Sequence, residues 1–250
     1  MKKRFLKTLF SLGIYVLFCL SLLITFLLSP SLLYAHQTTY ENITIYHNTP
    51  LDENLRVIID LSLSNIESAA IYQEHFKSDL CLNDGSFYPK MVQNILGDDV
   101  FIAFSNKVVV LGQPLDTFNR FEKWGQILRS DQFLSHAFMH NLQFKKHGLF
   151  GSNPLARHPN WKWEGYVEYE IMGKNRDLKV LLYQLQAAPK DDFSWIDLGE
   201  YKKTVKAHLQ YLVLTKYCFE VLGMDYEQFM SDDRTATQIE ELLLDWSNIE

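Results

Sequence analysis

The sequence predicts an α+β domain behind one membrane-length helix, and three observations carry that reading. The first is a stretch of 28 residues without a charge, Thr8 to Ala35, near the N-terminus. The second is a crowd of short alternating segments and turn signals in the first half of the chain that follows. The third is the helical patterning of the second half, so that strands come early and helices late.

The uncharged stretch is rich in Leu, Phe, Ile and Val and follows Lys2, Lys3, Arg4 and Lys7. A signal-peptide apolar region usually runs to about 15 residues, whereas a bilayer core of about 30 Å takes about 20. Residues 8–35 therefore read as a transmembrane signal anchor, in which Gly13 and Pro30 are tolerated. All the nearby positive charge precedes the span. That places residues 1–7 in the cytoplasm and residues 36–250 outside it, periplasmic or extracellular. Ser31 to His36 loosely resembles a small-residue cleavage site, so cleavage of the anchor stays open.

Setting the four N-terminal cations aside, 20 Lys and Arg stand against 30 Asp and Glu, a charge of −10 on the rest. A domain this acidic is a poor holder of nucleic acid or anionic lipid, because phosphate binding needs clustered cations. A hydrophobic content of 47% argues against disorder, and the length after Ala35 suits one domain. Cys19 lies in the span. Cys81 and Cys218 would meet an oxidising compartment, either as one disulfide or as two separately buried thiols.

Taken in order, Asn42 to His47 alternates like a strand and opens with a glycosylation sequon, Asn42-Ile43-Thr44. Leu51 to Ser68 reads as a helix with Leu55, Ile58, Ile59, Leu63 and Ile66 on one face. Asp79 to Leu82 is a short strand ended by Asn83-Asp84-Gly85, and Phe87 to Leu96 is a short helix. Val100 to Phe104 and Lys107 to Leu111 form a hairpin across Ser105-Asn106. Gly112 to Gln126 reads as loop, interrupted by Pro114 and Gly125. A helix from Ser130 or Asp131 to Gly148 follows, with Lys145, Lys146 and His147 suiting its negative end. A second helix runs from Asn160 to Gly173. Beyond it the chain reads as wholly helical: Leu178 to Gln186, Glu200 to Leu222, Tyr226 to Met230 and Thr237 to Trp246.

The candidate site lies on the two middle helices. At about 100° per residue His136 and His140 share one face, with Gln143 and His147 close beside them. Three imidazoles and an amide make an odd face to bury without a ligand. Zinc takes two imidazoles at i, i+4 from one helix and a carboxylate from elsewhere, keeping a fourth position open. Glu164 can supply the carboxylate. Glu168, one turn on, can accept the second N–H of a ligating histidine and fix its tautomer. His147 could instead close the site as a fourth ligand and make the metal structural. Gly165, between the two acids, points to close packing against the histidine helix. A solvated acidic face is the plainer reading, opposed by Trp161, Trp163, Tyr166 and Tyr169 on the same helix.

His136 and His140, with the run Glu164-Gly165-Tyr166-Val167-Glu168-Tyr169 after Pro159 and two tryptophans, resemble the paired-helix signature of the gluzincin zinc metallopeptidases. The likeness covers about 37 residues, and the 23 residues between His140 and Glu164 lie within the spread of that family. The resemblance implies a zincin-like domain, with a small N-terminal sheet and a mostly helical C-terminal part. It implies zinc on His136, His140 and Glu164, with Glu168 behind a histidine, and the hairpin would correspond to the sheet edge that holds peptide. One departure bears on activity: Ala137 stands where the family has the glutamate that moves the proton. No catalytic residue is assigned, and losing a general base costs about 10²–10⁴-fold.

Tyr201, His208, Tyr211 and Tyr217 on the late helix are candidate donors to an oxyanion or packing residues, and His158 reads as a surface residue. Three functions follow. The first is a membrane-anchored pseudo-peptidase that binds metal and serves a binding or regulatory role toward a peptide or protein ligand. The second is an active zinc-dependent peptidase with an atypical base. The third is a metal-free structural membrane protein whose histidines and glutamates satisfy one another. A diiron oxygenase is disfavoured by the single span and the absence of further His-rich clusters.

Overall fold

The computed structural model describes residues 2–114, 118–200 and 202–249. Helix α1 (Lys2–Leu28) contains an apolar window, Phe10–Leu28, of mean hydropathy 2.4, none of it buried. That is long and apolar enough to cross a bilayer. The helix stops short of the charge-free run because Pro30, with no N–H to donate, opens a separate single turn, Pro30–Leu32. Pro30 and Tyr34 are buried, and the Tyr34 hydroxyl donates to the Leu82 carbonyl at 2.7 Å. The last residues of the expected span 8–35 therefore belong to the folded domain.

The central sheet begins with β1 (His36–Tyr40), antiparallel to β2 (Ile43–His47) across a turn in which Glu41 takes φ 49°. Helix α2 (Asn54–Ile66) leads to β3 (Ser78–Cys81), and α3 (Phe87–Leu96) leads to the hairpin of β4 (Phe101–Phe104) and β5 (Lys107–Val110). The spatial order is β1-β2-β3-β5-β4, with β2, β3 and β5 parallel and both outer pairs antiparallel. Side chains alternate across the sheet as the strand period requires. Ile43, Ile45, Leu80 and Val108 join the main core with Ile59 and Phe138, while Tyr46, Cys81 and Val109 pack on Tyr88, Met91 and Val92 of α3. Both faces are thus covered, and β4 is left as an edge.

The segment expected to be loop after Gly112 instead builds a three-stranded sheet: β6 (Gln113–Pro114), β7 (Arg120–Lys123) and β8 (Gln126–Arg129). Gly125, read as an interruption, makes the turn between β7 and β8. Trp124 and Gly125 both take positive φ, 51° and 70°, as a two-residue hairpin turn demands. Phe121 and Leu128 bury against Val100 to hold the sheet.

Helix α4 (Ser130–His147) ends at Gly148, whose φ of 70° stops it. Helix α5 (Asn160–Glu168) continues as a π-helical turn, Tyr169–Gly173, where Lys174 N–H reaches back five residues to the Tyr169 carbonyl at 3.0 Å. After α6 (Leu178–Ala187) the chain is not wholly helical. A hairpin, β9 (Trp195–Asp197) with β10 (Lys203–Val205), turns through Gly199 and Glu200 at φ 86° and 56°. That turn delays α7 to Lys206–Glu220, six residues later than the pattern suggests. Helices α8 (Tyr226–Ser231) and α9 (Ala236–Ile249) complete the chain. The result is a mixed α and β domain with one small mixed sheet beneath α2 and α4. Cys81 and Cys218 are both free and buried, in different clusters.

Gly165 is a close-packing point, but against α7 rather than the histidine helix. A Cβ there would lie 2.3 Å from Thr215 Oγ1 and 2.8 Å from the Tyr211 carbonyl oxygen. At about 100° per residue Gly165 lies a quarter turn or so round the helix from Glu164, which reaches α4, and this brings its Cα against α7.

Candidate metal centre

Helix α4 is anchored at its first turn by Asp131, which accepts from Asn119 at 2.8 Å and pairs with Arg129 at 2.6 Å. One turn of helix then separates His136 from His140. Helix α5 starts at Pro159, whose carbonyl receives the N–H groups of Lys162 and Trp163, and this delivers Glu164 to the histidine pair. His136 Nε2 lies 3.0 Å from His140 Nε2, and Glu164 Oε2 lies 3.3 Å from the first and 3.2 Å from the second. Three atoms with lone pairs converge in a nearly equilateral triangle.

The groups behind them settle which nitrogens carry hydrogen. Gln143, fully buried, donates Nε2–H to the Trp163 carbonyl at 2.9 Å, and a carbonyl can only accept. Its Oε1 therefore faces His140 Nδ1, 2.9 Å away, which must be the donor. Glu168 Oε1 does the same for His136, 3.4 Å from Nδ1. In the neutral tautomers so fixed, both Nε2 atoms are bare and face Glu164. Such a triangle repels itself unless positive charge sits in it, either a proton on His136 or a metal ion.

The donor set fits a metal. Bonds of about 2.0–2.1 Å in a tetrahedral site put ligand atoms about 3.3–3.4 Å apart, close to the spacing here. Two imidazoles, one carboxylate and carboxylate or amide partners behind the rings form the pattern zinc takes with an open position. His136, His140 and Glu164 are the group that could hold a metal among the described residues.

The protonated alternative has its own signature. Burial would lower the pKa of His136, but hydrogen bonds to Glu164 and Glu168 outweigh it and push it up to about 10. Burial works against Glu164, yet the neighbouring His140 and the hydrogen bond from His136 hold it well below the usual carboxylate range. Glu168, against its burial, is drawn down to about 2 by His136 and His208.

His208 on α7 donates Nδ1–H to Glu168 Oε1 at 2.9 Å and stacks on His136, with centroids 6.0 Å apart. The sequence places it among candidate donors without pairing it to Glu168. Tyr211 lines the same cleft, but Tyr217 donates to the Leu242 carbonyl at 3.1 Å, a packing role. Tyr201 lies outside the described residues. His147 is not among the three grouped residues, and its Nε2 is 2.7 Å from the Tyr226 hydroxyl. His158, half-buried rather than on the surface, stacks on Trp163 at 5.3 Å and donates to the Gly151 carbonyl. Gln143 is the functional residue whose part the sequence does not reveal, although its place three residues after His140 is the available signal.

The triangle opens into a cleft of about 1450 Å³, with Ala137 on its floor and β4 along one wall. Ala137 is almost fully buried and offers the cleft only a methyl group. Searches against protein-family models, curated proteins and solved structures match none of them to this chain.

Proposed function

We propose that this chain is a membrane-anchored, zincin-like domain that holds zinc through His136, His140 and Glu164. It lacks the general base and serves as a pseudo-peptidase that binds a peptide or protein ligand. The observation that carries the reading is the convergence of two bare Nε2 atoms and one carboxylate oxygen at 3.0–3.3 Å, each imidazole oriented from behind. A bound zinc would polarise a carbonyl or lower the pKa of its water. The residues around it do the rest: Glu168 and Gln143 orient the rings, and Ala137 withholds proton transfer. Edge strand β4, paired only with β5 among the described residues, offers unpaired backbone groups to an extended peptide. Helix α1 would cross the membrane with the domain on the extracytoplasmic side.

A second reading, an active peptidase, is favoured by one observation. The Glu168–His208 hydrogen bond leaves His208 Nε2 as an orientated imidazole nitrogen on the helix that walls the cleft. Assaying zinc-loaded full-length protein in detergent against a peptide library tests both. The pseudo-peptidase reading expects no turnover by wild type, and a gain of about 10²–10⁴-fold above background on Ala137→Glu. Turnover by wild type that His208→Ala abolishes, with zinc content unchanged, would replace it with the second reading.

A further inference from the structure

Where α1 ends, the chain does not leave it as a loose tether. The Tyr88 hydroxyl donates to the Leu27 carbonyl at 2.6 Å, and Ser86 Oγ donates to the Leu33 carbonyl at 2.8 Å. Leu27 and Leu33 pack on the cluster of Tyr34, Tyr46 and Tyr88 beneath α3. Ala35 N–H donates to Asn48 Oδ1 at 2.8 Å. The last turn of the apolar helix, the turn after it and the start of α3 are therefore one packed unit.

Phe87 sits between the two residues that hold this exit segment, and it is 61% exposed. Leu32, inside the segment, is 58% exposed. Two large apolar side chains are thus bare on the segment that follows α1 and on the turn of α3 that holds it, next to a buried cluster of three tyrosines. The domain's net negative charge does not favour attraction to anionic headgroups, and the side chains bared here are apolar.

We propose that Leu32 and the first turn of α3 form a seat that beds into the lipid leaflet from which α1 emerges, with Phe87 as its anchor. The proposal rests on α1 crossing the bilayer. It means that the domain is held at a fixed attitude and not on a swinging stalk. Leu96, at the far end of the ten-residue α3, lines the metal cleft, so one end of the cleft opens no more than about 15 Å from Phe87. Ligands presented at the membrane surface are then in reach.

Spin labels test this on full-length protein in lipid nanodiscs, with Cys19→Ser removing the exposed native thiol. Labels at Leu32→Cys and Phe87→Cys are compared with Leu20→Cys in α1 and with Tyr183→Cys, an exposed position on α6. The proposal expects relaxation by oxygen over a water-soluble nickel chelate to be severalfold higher at 32 and 87 than at 183, approaching the ratio at 20. A water-like ratio at 87 and 32 with a lipid-like one at 20 would overturn the seat and leave the span standing. A water-like ratio at 20 would overturn the span itself and the seat with it.

Discussion

Gln143→Leu is the sharpest perturbation of the site, because it touches no ligand atom and keeps the side-chain volume. Gln143 is fully buried and makes two hydrogen bonds of 2.9 Å, one from His140 Nδ1 and one to the Trp163 carbonyl. Removing the acceptor frees the His140 ring to rotate or change tautomer. The loss of such a partner typically costs 10–100-fold in metal affinity, about 1.4–2.7 kcal/mol. Stranding the Trp163 carbonyl costs a further sum of about 1–3 kcal/mol, but in folding stability. The two effects separate by assay: zinc affinity by competition with a chromogenic chelator, and stability by thermal unfolding in excess chelator. Gln143→Glu keeps an acceptor for His140 but loses the donor to Trp163, so it should retain more zinc affinity than the leucine variant while also losing stability. Zinc affinity of Gln143→Leu within about twofold of wild type would refute the claim that His140 binds through an Nε2 bared from behind.

Zinc must displace the proton that His136 holds in the metal-free domain, where its pKa is raised to about 10, so apparent affinity should rise by up to about tenfold per pH unit from pH 6 to 8; a flat profile would contradict this. The sign for folding without metal is opposite: the raised His136 stabilises fully below its ordinary value of about 6.5 and loses that contribution as pH climbs through about 10. Glu168, drawn down to about 2, contributes above its ordinary range near 4.5 and loses it as pH falls toward 2, so urea unfolding in chelator should show a stability maximum between these limits. Gly165→Ala would drive a Cβ into Thr215 Oγ1 and the Tyr211 carbonyl and should destabilise by about 1–3 kcal/mol, less up to about 1 kcal/mol of helix propensity, read as a lower Tm. A Tm at or above that of wild type would mean that α5 and α7 can part without cost.

Much of this site could be read from the chain because it is local. Helical spacing alone aligns His136 with His140 and Glu164 with Glu168, and Pro159 and Gly148 mark the helix ends that bring the pairs together. What escaped depends on a third element. Gly165 packs on α7, and no periodicity within α5 says which neighbour it meets. His208 reaches Glu168 from 40 residues away, a pairing set by how α7 crosses α5. Gly125 reads as a break and Gly199 carries no reading at all, yet each belongs to the turn of a hairpin whose strands are too short for alternation to show. The helix expected from Glu200 starts late for the same reason. The charge-free run blurred the end of α1, because Leu33 and Tyr34 are as apolar when packed on a tyrosine cluster as they would be in lipid.

Because Pro30 to Tyr34 are part of the domain, the protein to measure is the full chain in detergent, not a fragment from residue 36. Its zinc content by mass spectrometry, beside His140→Ala and Glu164→Gln, tests the metal centre most directly. The account predicts about one zinc per wild-type chain and loss in both variants. Wild-type protein that stays free of metal after incubation with zinc and dialysis would contradict it, and would leave His136 as a half-buried imidazolium held between two glutamates.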